Sequence, residues 1–462
     1  MAGVLALILV AGGIFVWART RHPLANGSSR PTILFILVDD ERWDSMGVLP
    51  NVQRLITNHG VAFTNSFVVD PLCCPSRAAN LTGQYPHSTG VWTNSGPHGG
   101  FQAFHDRSTI ATWLHDRGYT TALFGKYLNR YQNTTYIPPG WDHWEAFDGS
   151  ATTGAFYFNY TMNIQGTLHH YGTAPSEYST DVLAKDAASF IRSTDGPLFV
   201  YFSTSAPHAP AVPAPQDVGA YRNLKPWRPA SYNEQDLSRE PAWVRSLRPL
   251  GPGATKKIDR LREHMLESLR AVDRAVQTLM NALADTGRLG HTMIVFTSDN
   301  GFSWGEHRWH SKIAPWDEDI RVPLVIRYDP LTRTPSTDSR LVANIDLTST
   351  FAALAGAEAP GSEGRSLLPL LAGHTTPWRK DLLIESLQGE LVPSYCELRT
   401  PRYAFIDYTT GESELYDVRK DPLELANLSS RSTYRSKIRT FNKRLRTLCR
   451  PPPPGSPAGF PP

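Results

Sequence analysis

The stretch "TILFILVDDERWDSMG", residues 32–47, runs from Thr32 to Val38 through apolar and β-branched residues and then straight into Asp39 and Asp40. A strand with one wet face alternates apolar and polar residues; one without alternation is buried on both faces, as in a parallel sheet covered by helices. The same grammar recurs in "YTTALFGK" from Tyr119, "PLFVYFSTSAPH" from Pro197 and "HTMIVFTSDNG" from His291. Between these runs lie helical patterns: from Asp259 onward, Leu261, Met265, Leu269, Val272, Val276 and Leu283 recur at helical spacing. Strands alternating with helices specify an α/β fold on a doubly wound, mostly parallel sheet. Ligands of such sheets collect beyond the carboxyl ends of the strands. The polar residues that end these strands, Asp39, Asp40, Lys126, His208, Asp299 and Asn300, are therefore expected to converge on one site.

At 462 residues the chain exceeds what one core usually serves, so more than one domain is expected. Lys+Arg 46 against Asp+Glu 43 gives a formal charge of +3. There is no long basic run interleaved with aromatics, so nucleic acid is not an expected partner. The first stretch, "MAGVLALILVAGGIFVWARTRHP", is apolar from Ala2 to Ala18 and reads as a membrane-directed signal or anchor, with "VWA" as a tolerable cleavage site. Arg19 and Arg21 follow the apolar run instead of preceding it, which opposes simple secretion; a misplaced start codon is the alternative. The expectation is a secreted or membrane-anchored extracytoplasmic protein that touches the membrane only through this segment, or a cytoplasmic one if the segment is no export signal.

Asp39, Asp40, Asp299 and Asn300 offer only oxygen ligands, which suits Ca²⁺ or Mg²⁺ better than Zn²⁺. The plain alternative is that both pairs serve turns, an alternative weakened because each pair closes an apolar strand. The four cysteines pose a separate question, since Cys73 and Cys74 are adjacent in "DPLCCPSRAANLTGQYPH", residues 70–87. Neighbouring cysteines rarely bond to each other, and they lack the gap zinc sites favour. One or both is either a small buried hydrophobe or a residue whose sulfur chemistry is used. Cys396 and Cys449 could bridge in an oxidising compartment; spacing leaves that open.

"CCPSRAANLTG", Cys73 to Gly83, is similar to the signature C-x-P-S-R-x-x-x-L-T-G of the formylglycine-dependent sulfatases, with Cys73 in the modified position. The resemblance continues through "LVDDERWD", "GKYLN" at Gly125 to Asn129, "APHAP" at Ala206 to Pro210, "TSDNGFSWGEH" from Thr297, "SKIAPWDEDIRVPLVIR" from Ser311 and "ELYDVRKDPLELANL", in the family's order. It covers roughly residues 31–450 and looks most like the N-acetylglucosamine-6-sulfatase and arylsulfatase branch. It implies an alkaline phosphatase-like catalytic domain over 31–375, after an N-terminal segment and linker over 1–30. A C-terminal subdomain of small antiparallel sheet plus helix would follow over 376–450.

That resemblance implies hydrolysis of sulfate monoesters of carbohydrates or aryl alcohols. Cys73 would be oxidised by a formylglycine-generating enzyme to Cα-formylglycine, whose hydrate is the nucleophile, and Cys74 would be a packed spacer. Asp39, Asp40, Asp299, Asn300 and the oxygen of modified Cys73 would hold one divalent cation, Ca²⁺ or else Mg²⁺. Arg77 would steady the diol, Lys126 and Lys312 would bind the sulfate, and His208 with Lys312 would protonate the leaving oxygen. One position departs from the pattern: many sulfatases carry a histidine where this chain has Leu128. The base is then unassigned, with His87 the first substitute and His310 the second. The rival readings are a formylglycine-dependent phosphonate or phosphate ester hydrolase of the same superfamily and a catalytically dead binding homologue.

Three further segments carry expectations. The Pro- and Trp-bearing insertion after His208 is placed to line a substrate cleft. Trp141, His143 and Trp144 are expected in the core before a sugar-stacking wall. Residues 451–462, "PPPPGSPAGFPP", are expected to form an extended, disordered tail.

Overall fold

The computed structural model describes residues 30–132, 134–149, 156–332, 334–387, 389 and 391–461; the apolar N-terminal segment lies outside the described residues. Among those described, no helix is long and apolar enough to cross a membrane.

The central sheet has ten strands: β1 (Thr32–Val38), β2 (Val61–Phe63), β3 (Thr120–Gly125), β4 (His143–Phe147), β5 (Tyr160–Ile164), β6 (Thr167–Tyr171), β7 (Leu198–Ser203), β8 (Thr292–Ser298), β9 (Leu324–Arg327) and β10 (Ser336–Asp338). Their order is β10-β2-β9-β8-β1-β7-β3-β4-β5-β6. The run β8-β1-β7-β3-β4 is parallel, and antiparallel pairs take over at β9 and β5, so the sheet is mixed.

Every residue of β1 is buried, as its unbroken apolar run requires. Leu34, Ile36 and Val38 face the core under α2 (Ser179–Ser193) and α3 (Pro252–Asp285). Ile33, Phe35 and Leu37 face the opposite core, which takes in Cys74, Ala78 and Leu81 of α1 (Cys73–Thr82) and Leu347 and Phe351 of α4 (Ile345–Ala355). Helices on both faces leave no wet side, which is why alternation is missing from the sequence. Trp141 and Trp144 lie in this second core, and the Trp144 indole donates to the Tyr131 hydroxyl at 2.8 Å.

Register then decides where the polar ends emerge. Val38 pairs with Ser298, Leu37 with Ser203, and Ser203 with Gly125. Four strands thus stop at one level, and the next residues, Asp39, Asp299, Thr204 and Lys126, leave the sheet together.

The smaller unit is a four-stranded antiparallel sheet of β11 (Leu382–Ser386), β12 (Tyr395–Arg399), β13 (Tyr403–Tyr408) and β14 (Ser413–Asp417), followed by α5 (Arg435–Leu448). Cys396 of β12 and Cys449, one residue past α5, form a disulfide across a sequence separation of 53. The proline-rich end does not hang free. Pro453 is buried and Phe460 packs on the cluster around Leu383, Cys396, Leu445 and Cys449. Prolines cannot join a ladder, but their rings and an aromatic can still cover an apolar face. Replacing both Cys396 and Cys449 by Ala should lower unfolding free energy by about 2–4 kcal/mol, read from urea denaturation beside the oxidised protein.

Candidate active site

Asp39, Asp40 and Asp299 are buried to within 1% exposure, and the strand-end amides hold them in place. The Asp299 amide donates to the Val38 carbonyl at 3.1 Å, and the Asp40 amide donates to Asp299 Oδ1 at 3.1 Å. Asp40 has φ +70°, a left-handed turn that lets the chain leave β1 sharply; a short polar side chain tolerates it better than a branched one.

Cys73 opens α1. Its local N-cap residue, Leu72, offers no side-chain cap, and the Cys74 amide is instead satisfied by Asn94 Oδ1 at 2.9 Å. At the same helix, Asn344 donates to the Ser76 carbonyl at 3.2 Å and accepts from the Val69 amide at 3.1 Å. Cys73 Sγ lies 3.5 Å from Asp39 Oδ1 and 2.7 Å from Lys312 Nζ. Burial, helped by Asp39, pushes its thiol up to about 12.

Cations compensate the buried carboxylates. Arg77, one turn into α1, is wholly buried: Nε donates to Asp299 Oδ2 at 2.6 Å, Nη1 to Ser203 Oγ at 2.7 Å and to the Lys126 carbonyl at 3.0 Å, and Nη2 lies 3.6 Å from Asp39. Lys126 donates to Asp39 Oδ2, and Lys312 donates to Asp40 Oδ1 at 2.6 Å. Burial works against ionised Asp39, yet Lys126, His208, Arg77 and Lys312 together hold it well below the usual carboxylate range. Burial pushes Asp299 up against the pull of Arg77; with Nε at 2.6 Å, the geometry serves the ionised pair. His208 sets Nδ1 2.6 Å from the Ala209 carbonyl, leaving Nε2 toward the group, 3.7 Å from Asp40 Oδ2.

Side-chain donor atoms of Asp39, Asp40, Cys73 and His208 lie within 4.8 Å of one another, a spacing a metal ion could bridge. Asn300 joins through Nδ2, which donates to Asp40 Oδ1 at 2.6 Å, while its Oδ1 is buried without a hydrogen-bond partner among the described residues. A buried amide oxygen without a partner, on a side chain that touches Asp40, is the kind of donor a hard cation takes.

The strand-end residues named from the sequence thus come together with Cys73, Arg77 and Lys312. His87 does not join them. Its Nδ1 and its backbone amide contact Glu385 Oε1 of β11 at 2.7 and 3.0 Å, and Nε2 lies 3.7 Å from Glu363. Burial would lower this imidazole, but the two carboxylates raise it to about 9. Glu363 is lowered in return, whereas burial pushes Glu385 up; with two acids around one ring, the proton stays on His87. A histidine protonated at neutral pH cannot act as the base. His310 is exposed and Leu128 is buried in the core.

The sequence reading missed Ser203 and Asn94, which carry no motif, and the clamp around Arg42. Arg42 Nη1 pairs with Glu306 at 2.6 Å and its guanidinium lies 4.3 and 5.3 Å from the Trp304 and Trp227 rings. Trp227 in turn donates to Glu306 Oε1 at 2.6 Å, tying the insertion after His208 to the loop behind Asp299.

The family comparisons agree with this geometry. Residues 31–357 match the Sulfatase family model, and residues 305–450 match the model of the C-terminal region of N-sulphoglucosamine sulphohydrolase. The chain belongs to the sulfatase family. Human N-acetylglucosamine-6-sulfatase is 34% identical over 83% of this chain and 71% of the human protein. The extracellular sulfatase SULF-1 homolog of Drosophila melanogaster is 35% identical over 77% of the chain, which spans only 33% of that relative's length. A solved structure in complex with its substrate D-glucosamine-2-N,6-O-disulfate superposes with a TM-score of 0.79 at 27% identity, over 91% of this chain and 97% of the other.

His87 gives a pH test. Its folded pKa of about 9 exceeds the ordinary 6.5, so the stability it contributes is full below pH 6.5 and is lost as pH rises through about 9. The unfolding free-energy difference between wild type and His87→Gln should therefore be on the order of 1–3 kcal/mol near neutrality and vanish in alkaline buffer, as read by urea titrations across that range.

Proposed function

We propose that this sulfatase hydrolyses sulfate monoesters of amino sugars, with 6-sulfated glucosamine units as the leading class. The observation that carries the reading is the position of Cys73, at the start of α1 and against Asp39 and Lys312. The human relative, named as an N-acetylglucosamine-6-sulfatase, and the solved complex with a disulfated glucosamine support the sugar. The fly relative, called extracellular, supports an extracytoplasmic location.

Oxidised by a maturing enzyme to Cα-formylglycine, position 73 supplies a geminal diol as oxygen nucleophile. Asp39, Asp40, Asp299 and Asn300 would hold a divalent cation, Ca²⁺ or Mg²⁺, which would supply Lewis acidity toward the sulfate oxygens. The chain's own side chains do the rest. Arg77 keeps the carboxylates charged and aligned from behind. Lys126 and Lys312, bound to Asp39 and Asp40 in the protein alone, are the cations that can turn to sulfate, since 8% and 12% of their side-chain surfaces remain accessible while Arg77 has none. His208, its Nδ1 held by the Ala209 carbonyl, moves the proton at Nε2. With His87 committed to Glu385, His208 is also our assignment for the role left open at Leu128.

Protein produced with a formylglycine-generating enzyme should show an aldehyde at residue 73 and a thiol at residue 74 by tandem mass spectrometry. Cys73→Ala should lose all hydrolysis of glucosamine 6-sulfate, whereas Cys74→Ala should keep most of it. An aldehyde at 74, or an active Cys73→Ala protein, would overturn the register of the motif.

Asp299→Ala should lower turnover at least about a hundredfold and reduce the bound divalent metal found by elemental analysis. Full metal content and full activity in that variant would refute the ligand set.

A further inference from the structure

The last helix carries a charge pattern that catalysis does not use. α5, "RSKIRTFNKRLRTL", contains six basic residues and no acidic one, in a chain whose overall charge is only +3. Its apolar face, Ile438, Phe441, Leu445 and Leu448, packs on the C-terminal sheet. Arg435, Arg439, Lys443 and Arg446 stand at i, i+4, i+8 and i+11, which places them along one side of the helix over about 16 Å. All four are exposed, and among the described residues none of them forms an ion pair within 4.0 Å, although the Arg446 charge partly offsets the burial of the Asp407 carboxyl.

The other flank differs. Arg444 is tied to Asp381 at 2.7 and 2.9 Å, and Lys437 lies over the Tyr403 ring at 4.3 Å. That flank opens on a groove of about 460 Å³ whose lining includes Tyr85, Arg365, Trp378, Lys380 and Arg444. Glu363 and Asp381 line it too, so this flank is of mixed charge, and Tyr85, just beyond the end of α1, marks where the groove reaches the catalytic domain.

Like charges at this spacing repel one another and weaken a helix. A polyanion laid along the row removes that repulsion and neutralises four cations at once. We propose that the exposed side of α5 is an anchoring surface for a sulfated glycan chain, separate from the site at Cys73, which keeps the polymer attached while individual sulfate esters are presented to the catalytic group. The choice of glycan over other polyanions rests on the sulfatase reading above; the existence of the anionic site does not. A row of cations spaced along one side of a helix suits a sulfated sugar chain, whose charges are likewise spread along its length.

The test uses the full chain carrying Cys73→Ala, so that binding is read without turnover and whether or not sulfate esters are the substrate. Affinity for a heparin-derived oligosaccharide, its desulfated counterpart and phosphatidylserine/phosphatidylcholine vesicles is measured across a salt series. The sulfated chain should bind in a salt-dependent manner and the desulfated chain should not. Arg435→Gln, Arg439→Gln, Lys443→Gln and Arg446→Gln together should weaken the sulfated chain about tenfold, and an Arg→Lys version of the three arginines should retain it. If the fourfold variant does not fold, Arg439→Glu alone serves, with a smaller loss. Unchanged affinity in the glutamine variant overturns the proposal. So does loss of vesicle binding with glycan binding intact, which would make the surface a membrane contact.

Discussion

The side chains of Asp39, Asp40 and Asp299 meet in a region closed to solvent, and ionised carboxylates there cost several kcal/mol each unless cations answer them. Parallel strand register creates the problem, because β1 and β8 end at the same level and each is followed by aspartate. Arg77 answers from within the protein. It reaches Asp299, the Ser203 hydroxyl and the Lys126 carbonyl, and so ties three strand ends to α1 with one planar group. A lysine could not span those directions from one atom.

Lys126 and Lys312 answer differently. Each meets a carboxylate through a single ammonium and keeps some accessible surface. The guanidinium is locked in the interior, while the two ammoniums stand at its edge. Around it, the Arg42 clamp fixes the loop behind Asp299, and Asn94 and Asn344 fix the start of α1.

The C-terminal subdomain belongs to the same construction. The Glu385 amide donates to the Val69 carbonyl at 2.9 Å, and its carboxylate holds the imidazole and amide of His87 just beyond α1. The signature helix is thus gripped by the catalytic domain at its start and by the second sheet beyond its end. The subdomain also carries the basic row of α5 on its outer side, away from its packed face.

Unbroken apolar runs such as Thr32–Val38 were sufficient by themselves to specify buried parallel strands, because a strand covered on both faces has no solvent-facing side on which polar residues would alternate. The polar residues that end them named most of the site, since a parallel sheet delivers strand ends to one edge whatever loops intervene. The signature from Cys73 to Gly83 supplied the family. The sequence placed His208 in the group but could not say whether His87 joins it. His87 and His208 both lie in motif-like surroundings, and only the packing of β11 beside α1 gives His87 to Glu385, while the turn after β7 brings His208 to Asp40. Nor could it reveal Ser203 or Asn94, whose roles depend on hydrogen bonds to distant backbone and side chains. The Cys396–Cys449 bond and the packing of Phe460 were settled in the same way, by which surfaces the small sheet left to be covered. Local pattern encodes burial and strand direction; partners far apart in the chain are chosen only when the folded surfaces meet.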